Sequence, residues 1–143
     1  MKTNPTRYSS AVGEVWIMMT LKLRYCHNMF DNRAIREYTD AMLAEAMAFY
    51  QIRWKKKSFD NNHVHIILEM GIRSKPQLAK LLKGFIAPRI LNEFPWLKNR
   101  LFRSKGLFNP ATDGRTGDMH FYNNYLDKQK YGLRNQAKLT AYT

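Results

Sequence analysis

The stretch Asn61-Asn62-His63-Val64-His65-Ile66-Ile67-Leu68-Glu69 constrains this chain more than any other. It is apolar and β-branched, it follows turn chemistry at Asp60-Asn61-Asn62, and Gly71 closes it, so it reads as a strand. Alternate side chains of a strand share a face, and residues two apart lie roughly 6.5–7 Å from each other. Val64, Ile66 and Leu68 therefore form one face, and His63, His65, Ile67 and Glu69 the other. One face is committed to a core, while the second carries two imidazoles near enough to hold one metal ion between them. Taken alone, a His-x-His pair on a strand is more often structural than metal-binding.

The flanking patterns say what this strand packs with. Residues 52–59 read as a shorter strand, with Ile52 and Trp54 on one face, and the tight Asp60-Asn61-Asn62 turn predicts an antiparallel hairpin. Its Lys55-Lys56-Lys57 run is either a phosphate contact or a solvated edge whose lysines discourage sheet-to-sheet pairing. Residues 15–24 alternate, with Val15, Ile17, Met19, Leu21 and Leu23 facing one way and Trp16, Met18, Thr20, Lys22 and Arg24 the other. Asp31 is a candidate N-cap for an amphipathic helix over 32–50 that buries Ile35, Tyr38, Met42, Leu43, Ala46, Met47 and Tyr50. Ser74-Lys75-Pro76-Gln77 reads as a capping box with proline in the first turn. The helix it starts carries Leu78, Leu81, Leu82, Phe85 and Ile86; Pro88 is predicted to kink or interrupt it before it resumes as far as Pro95. Residues 96–117 are irregular, a basic strand and loop. A last helix spans about 118–130 and stops at Gly132. This order predicts an α+β, ferredoxin-like (split βαβ) fold: an antiparallel sheet with helices packed on it and an appended C-terminal helix.

At 143 residues, with no repeat or linker, the chain is expected to form a single domain, its core over about 11–131 and a polar tail from 133. Its 24 Lys+Arg against 11 Asp+Glu give a net charge of +13, which points to a polyanionic partner, nucleic acid above all. In the irregular segment Arg100, Arg103, Lys105 and Arg115 interleave with Phe102 and Phe108, a pattern that serves either single-stranded nucleic acid or a basic loop packed by two buried rings. Cys26 is the only cysteine, which excludes an internal disulfide or a thiolate zinc site. With no signal-like start and no apolar run near the ~20 residues of a membrane span, a soluble, cytoplasmic protein is expected.

On the last helix Tyr122, Tyr125 and Gln129 fall on one face. His63-Val64-His65 on a strand, Lys83-Gly84 in the following helix and Tyr125-Leu126-Asp127-Lys128-Gln129 near the end together resemble the single-tyrosine HUH transposases encoded by very small insertion sequences. The resemblance covers about residues 11–131. The chain departs from the family pattern at Asn62, where Asp is usual, at Phe102, where Trp is common, and at Lys22-Leu23-Arg24, where the family has a Lys-Tyr-Arg cluster.

The resemblance implies a mechanism. His63, His65 and Gln129 would hold one divalent cation, Mg²⁺ or Mn²⁺, and Tyr125 would attack the scissile phosphate and remain joined to the 5′ phosphate. Tyr122 would be a packing or DNA-contact residue, and Glu69 either a base or a solvated strand-end charge. Lys22, Arg24, Lys83, Arg100, Arg103 and Lys105 would contact DNA. The implied partners are single-stranded DNA carrying short hairpins and a second copy of the chain, in a homodimer whose active sites are shared between protomers. The rival readings are a domesticated relative that cuts repeated hairpins, a non-catalytic single-strand binder of ferredoxin-like fold, and a hydrolase of small phosphate compounds.

Overall fold

A computed structural model of the chain describes residues 15–24, 27–99, 106–110, 113–115, 126 and 131–133. Strand β1, Trp16–Lys22, is followed by helix α1, Arg33–Phe49. The hairpin β2 (Trp54–Phe59) and β3 (His63–Glu69) comes next, then helix α2, Lys75–Glu93. Two three-residue strands complete the sheet, β4 (Asp113–Arg115) and β5 (Tyr131–Leu133), in the order β4-β1-β3-β2-β5. All the pairings are antiparallel. This is the expected ferredoxin-like α+β plan, with β5 added outside β2.

The alternation read from the sequence is the alternation of the sheet. Ile17, Met19 and Leu21 of β1 and the following Leu23, with Val64, Ile66 and Leu68 of β3, are buried beneath α1 and α2 in the main core. On the opposite, histidine-bearing face, Met18 and Ile67 are buried with Leu126, and Trp16 packs against them. Helices α1 and α2 both pack on the other side of the sheet from the histidines.

Local chemistry explains the boundaries. Helix α1 is capped by Asn32, whose side chain accepts from Ile35 N at 3.2 Å. Asp31, the expected cap, lies one residue too early, in a short 3₁₀ turn. The capping box at α2 is as predicted: Ser74 accepts from Gln77 N, and Gln77 Oε1 from Ser74 N, at 3.2 and 2.9 Å. Pro88 does not interrupt α2. Its missing N–H deprives only the Gly84 carbonyl, and both residues lie on the exposed side of the helix, where water can substitute. Gly71 turns the chain out of β3 with φ 64°, a conformation that suits glycine.

Two expectations fail at the sheet margins. Lys56 and Lys57 are neither a phosphate contact nor a solvated edge, because β5 pairs with β2 and both are buried; only Lys55 of the run is exposed. Lys57 reaches Asp40 of α1 across the core, Nζ to Oδ1 2.7 Å. Gly132, expected as the stop of a helix, lies in β5 opposite Ser58. The helix expected over 118–130 lies outside the described residues, apart from Leu126.

Candidate active site

His63 and His65 sit in β3, the middle strand of the sheet, hydrogen-bonded to β1 on one side and β2 on the other. Their register is fixed by burial. Slipping by one residue would turn Val64 and Ile66 out of the core. The rings stand 4.7 Å apart, centroid to centroid, at 75° to one another. His63 is half-buried at the start of the strand, while His65 is 7% exposed.

Each ring has its Nδ1 engaged. His63 Nδ1 lies 2.7 Å from Asn62 Oδ1, and His65 Nδ1 lies 2.7 Å from Thr20 Oγ1. Thr20 is the residue directly opposite His65 across the β1–β3 ladder, as Lys22 is opposite His63. Burial pushes the His63 pKa below 6.5; the Asp60 carboxylate pulls it back up and Lys22 pushes it further down. The neutral form, the one able to ligate a metal, is therefore favoured near neutral pH.

The other flank of His65 leads toward the tyrosine segment. Ser58 pairs with His65 across β2 and β3, and its hydroxyl donates to the Leu126 carbonyl at 3.1 Å. Leu126 is fully buried against Met18 and Ile67, on its own chain's histidine face. Tyr125 and Gln129, with Tyr122, lie outside the described residues. Among the described residues no cluster of three or more His, Cys, Asp or Glu could hold a metal.

Glu69 is neither a base beside the histidines nor a solvated charge. It is fully buried, ion-paired with Arg53 at 3.2 Å, and four residues (about 13 Å along a strand) from His65. Arg53 and Lys55 lie over the Trp16 ring at 5.6 and 4.2 Å from its centroid, which makes the far end of this face cationic as well.

Of the cations expected on DNA, Lys22 is exposed beside His63. Arg24 donates through Nε to the Gly106 carbonyl at 2.8 Å. Lys83 lies on α2, across the sheet from the histidines, and donates to the carbonyls of Asn109 and Pro110 at 3.0 and 3.3 Å. The two hold opposite ends of the segment 106–110, and Arg100, Arg103 and Lys105 lie outside the described residues. Phe108 is core rather than a base platform, 5% exposed and bridged to Leu23. Thr20 and Ser58 were not singled out from the sequence. Both flank His65 in register, and pairing the three alternating strands on paper would have found them.

The architecture has a solved counterpart. A candidate transposase from Deinococcus radiodurans R1 shares it with a TM-score of 0.69 at 20% identity, over 90% of this chain and 98% of that one. At that identity the likeness speaks for the fold. The sequence itself is decisive: residues 11–117 match the family described as "Transposase IS200 like". The chain belongs to the IS200-like transposases, a class of enzymes that cleave DNA. No relative of curated function matches it. No helix among the described residues is long and apolar enough to cross a membrane.

Proposed function

We propose that this transposase cuts and rejoins single-stranded DNA at insertion-sequence ends through a covalent 5′-phosphotyrosine on Tyr125. In this reading His63, His65 and Gln129 hold one divalent cation. The two described donors fit that role, being imidazoles on one face whose Nδ1 atoms are already engaged. Imidazole with a neutral carboxamide oxygen suits Mn²⁺ and tolerates Mg²⁺. A site without a carboxylate binds such ions weakly until a phosphate adds its charge, so metal and DNA should bind together. When bound, the cation supplies polarisation of the scissile phosphate.

The remaining steps belong to the chain. Tyr125 Oη, as phenolate, forms a bond to phosphorus while the bond from phosphorus to the 3′ oxygen breaks. The 3′ oxygen leaves and takes up a proton as a hydroxyl, and the 5′ phosphate stays on the tyrosine. Attack by another 3′-hydroxyl reverses the step, so bond energy is conserved and no ATP is needed. A phenol with a pKa near 10 needs a positive field to ionise at neutral pH. Lys22 beside His63, in a chain of net charge +13, contributes one.

What supports this reading is Leu126. The covalent neighbour of Tyr125 is docked on the face that carries the histidines, held by the residue opposite His65. The family resemblance further supports a substrate with hairpin ends and a homodimer that serves two ends, while the docking of Leu126 on its own chain's histidine face favours a tyrosine supplied in cis over centres shared between protomers. The test is a single-stranded oligonucleotide from the DNA flanking the gene, incubated with protein and Mn²⁺. Wild type should form a covalent adduct that EDTA prevents and Mn²⁺ restores, and Tyr125→Phe should bind the DNA without forming it. An adduct formed in EDTA refutes the metal role. Adducts from Tyr125→Phe move the nucleophile elsewhere, Tyr122 first.

A further inference from the structure

The two imidazoles are held by different neighbours through the same ring atom. Asn62 Oδ1 can only accept, so the hydrogen between it and His63 belongs to Nδ1, and the lone pair of that ring lies on Nε2. The Thr20 hydroxyl, 2.7 Å from His65 Nδ1, can accept or donate. Both holders are anchored. The Asn62 carbonyl accepts from Leu23 N at 2.9 Å, tying the hairpin turn to the end of β1. The neighbouring Asn61 carbonyl accepts from Phe30 N at 3.0 Å. Thr20 is paired on both sides, with His65 of β3 and Asp113 of β4.

We propose that Thr20 and Asn62 are positioning residues that fix His65 and His63 as Nδ1–H tautomers, presenting both Nε2 lone pairs to one cation. The proposal rests on the cation reading above and adds to it the residues that aim the ligands. Neutral imidazole in water favours the opposite tautomer, with its hydrogen on Nε2. A histidine left to itself would thus spend most of its time with an N–H where a donor pair is needed. The ring nitrogen that does not face the metal generally needs a fixed acceptor. Here the acceptors are a carboxamide and a hydroxyl, which set direction without adding negative charge.

The test uses the full chain, metal-free and ¹⁵N-labelled, at a pH where both rings are neutral. Long-range ¹H–¹⁵N spectra of the rings report the tautomers, and broadening of the same signals on titration with Mn²⁺ in the presence of a single-stranded oligonucleotide reports binding. Wild type should show Nδ1–H at both rings. Thr20→Val keeps the shape of the side chain and drops the hydroxyl. It should move His65 toward the Nε2–H form and weaken Mn²⁺ binding by about 10–100-fold, the usual cost of losing such a partner. Thr20→Ser, which restores the hydroxyl, should return both readouts close to wild type. Asn62→Ala should do the same to His63, and Asn62→Asp, which keeps an acceptor, should not. A merely structural role for Thr20 would show in folding with the His65 tautomer unchanged. Wild-type tautomers and wild-type Mn²⁺ binding in Thr20→Val overturn the proposal while leaving the cation reading intact. Wild-type protein that binds Mn²⁺ no better than a His63→Ala, His65→Ala double variant overturns both.

Discussion

Replacing Asp40 by asparagine would expose how the sheet that carries the histidines is tied to α1. The Lys57 ammonium is 2.7 Å from Asp40 Oδ1, donates to the Asp40 carbonyl at 3.0 Å, and lies 4.4 Å from the Trp54 ring centroid. The two side chains are 2% and 8% exposed, so solvent screens the pair little. A carboxamide in place of the carboxylate would leave a buried cation without its counter-charge, and removing one partner of such a pair costs about 3–5 kcal/mol. With a urea slope near 2 kcal/mol per molar, the unfolding midpoint should fall by about 1.5–2.5 M. A pH signature should accompany it. Burial already holds the Lys57 pKa below 10.5 although Asp40 pulls it up. Between the folded value and 10.5 the unfolded chain binds more protons than the folded one, so this group's contribution to stability rises with pH. Losing Asp40 lowers the folded value further, so that rise should begin at lower pH and be larger in Asp40→Asn. The double variant Asp40→Leu, Lys57→Met should recover wild-type stability or exceed it, by up to about 1–4 kcal/mol. An Asp40→Asn midpoint unchanged from wild type, with the same pH dependence, would refute the argument.

Leu126→Ala should destabilise the fold by about 2–3 kcal/mol, the low end for a fully buried leucine because its cluster is small, and urea unfolding will measure it. Ser58→Ala should cost less, about 0.5–1.5 kcal/mol for one hydrogen bond to Leu126. Affinity for single-stranded DNA should fall steeply with salt. A log–log slope beyond about −2 would correspond to at least three neutralised phosphates, and a flat dependence would count against a DNA track on this basic chain.

The parts legible in the sequence were those where a local rule and the tertiary fold agree. The alternation of β1 and β3, the capping box at Ser74, the turn before His63 and the glycine after Glu69 all act over a few residues, and all stand in the structure. Asn32 displaced Asp31 as a cap because either side chain can serve and only helix geometry chooses between them. The burial of Lys56 and Lys57 was illegible, since it depends on β5, a three-residue strand far along the chain, and for Lys57 on a carboxylate in α1. At the site, residue type pointed to His63 and His65. Of their holders, Asn62 is the sequence neighbour of His63, whereas Thr20 meets His65 through strand register, which appears only once strands are paired.

That same pairing has a mechanical consequence. With β3 bonded along both flanks, retargeting either imidazole would require two ladders to break in concert and a row of aliphatic residues to meet water. In the proposed mechanism this half of the reaction centre would act as an anvil, unable to yield to what is laid on it, and the adjustment that strand exchange demands would fall to the nucleic acid.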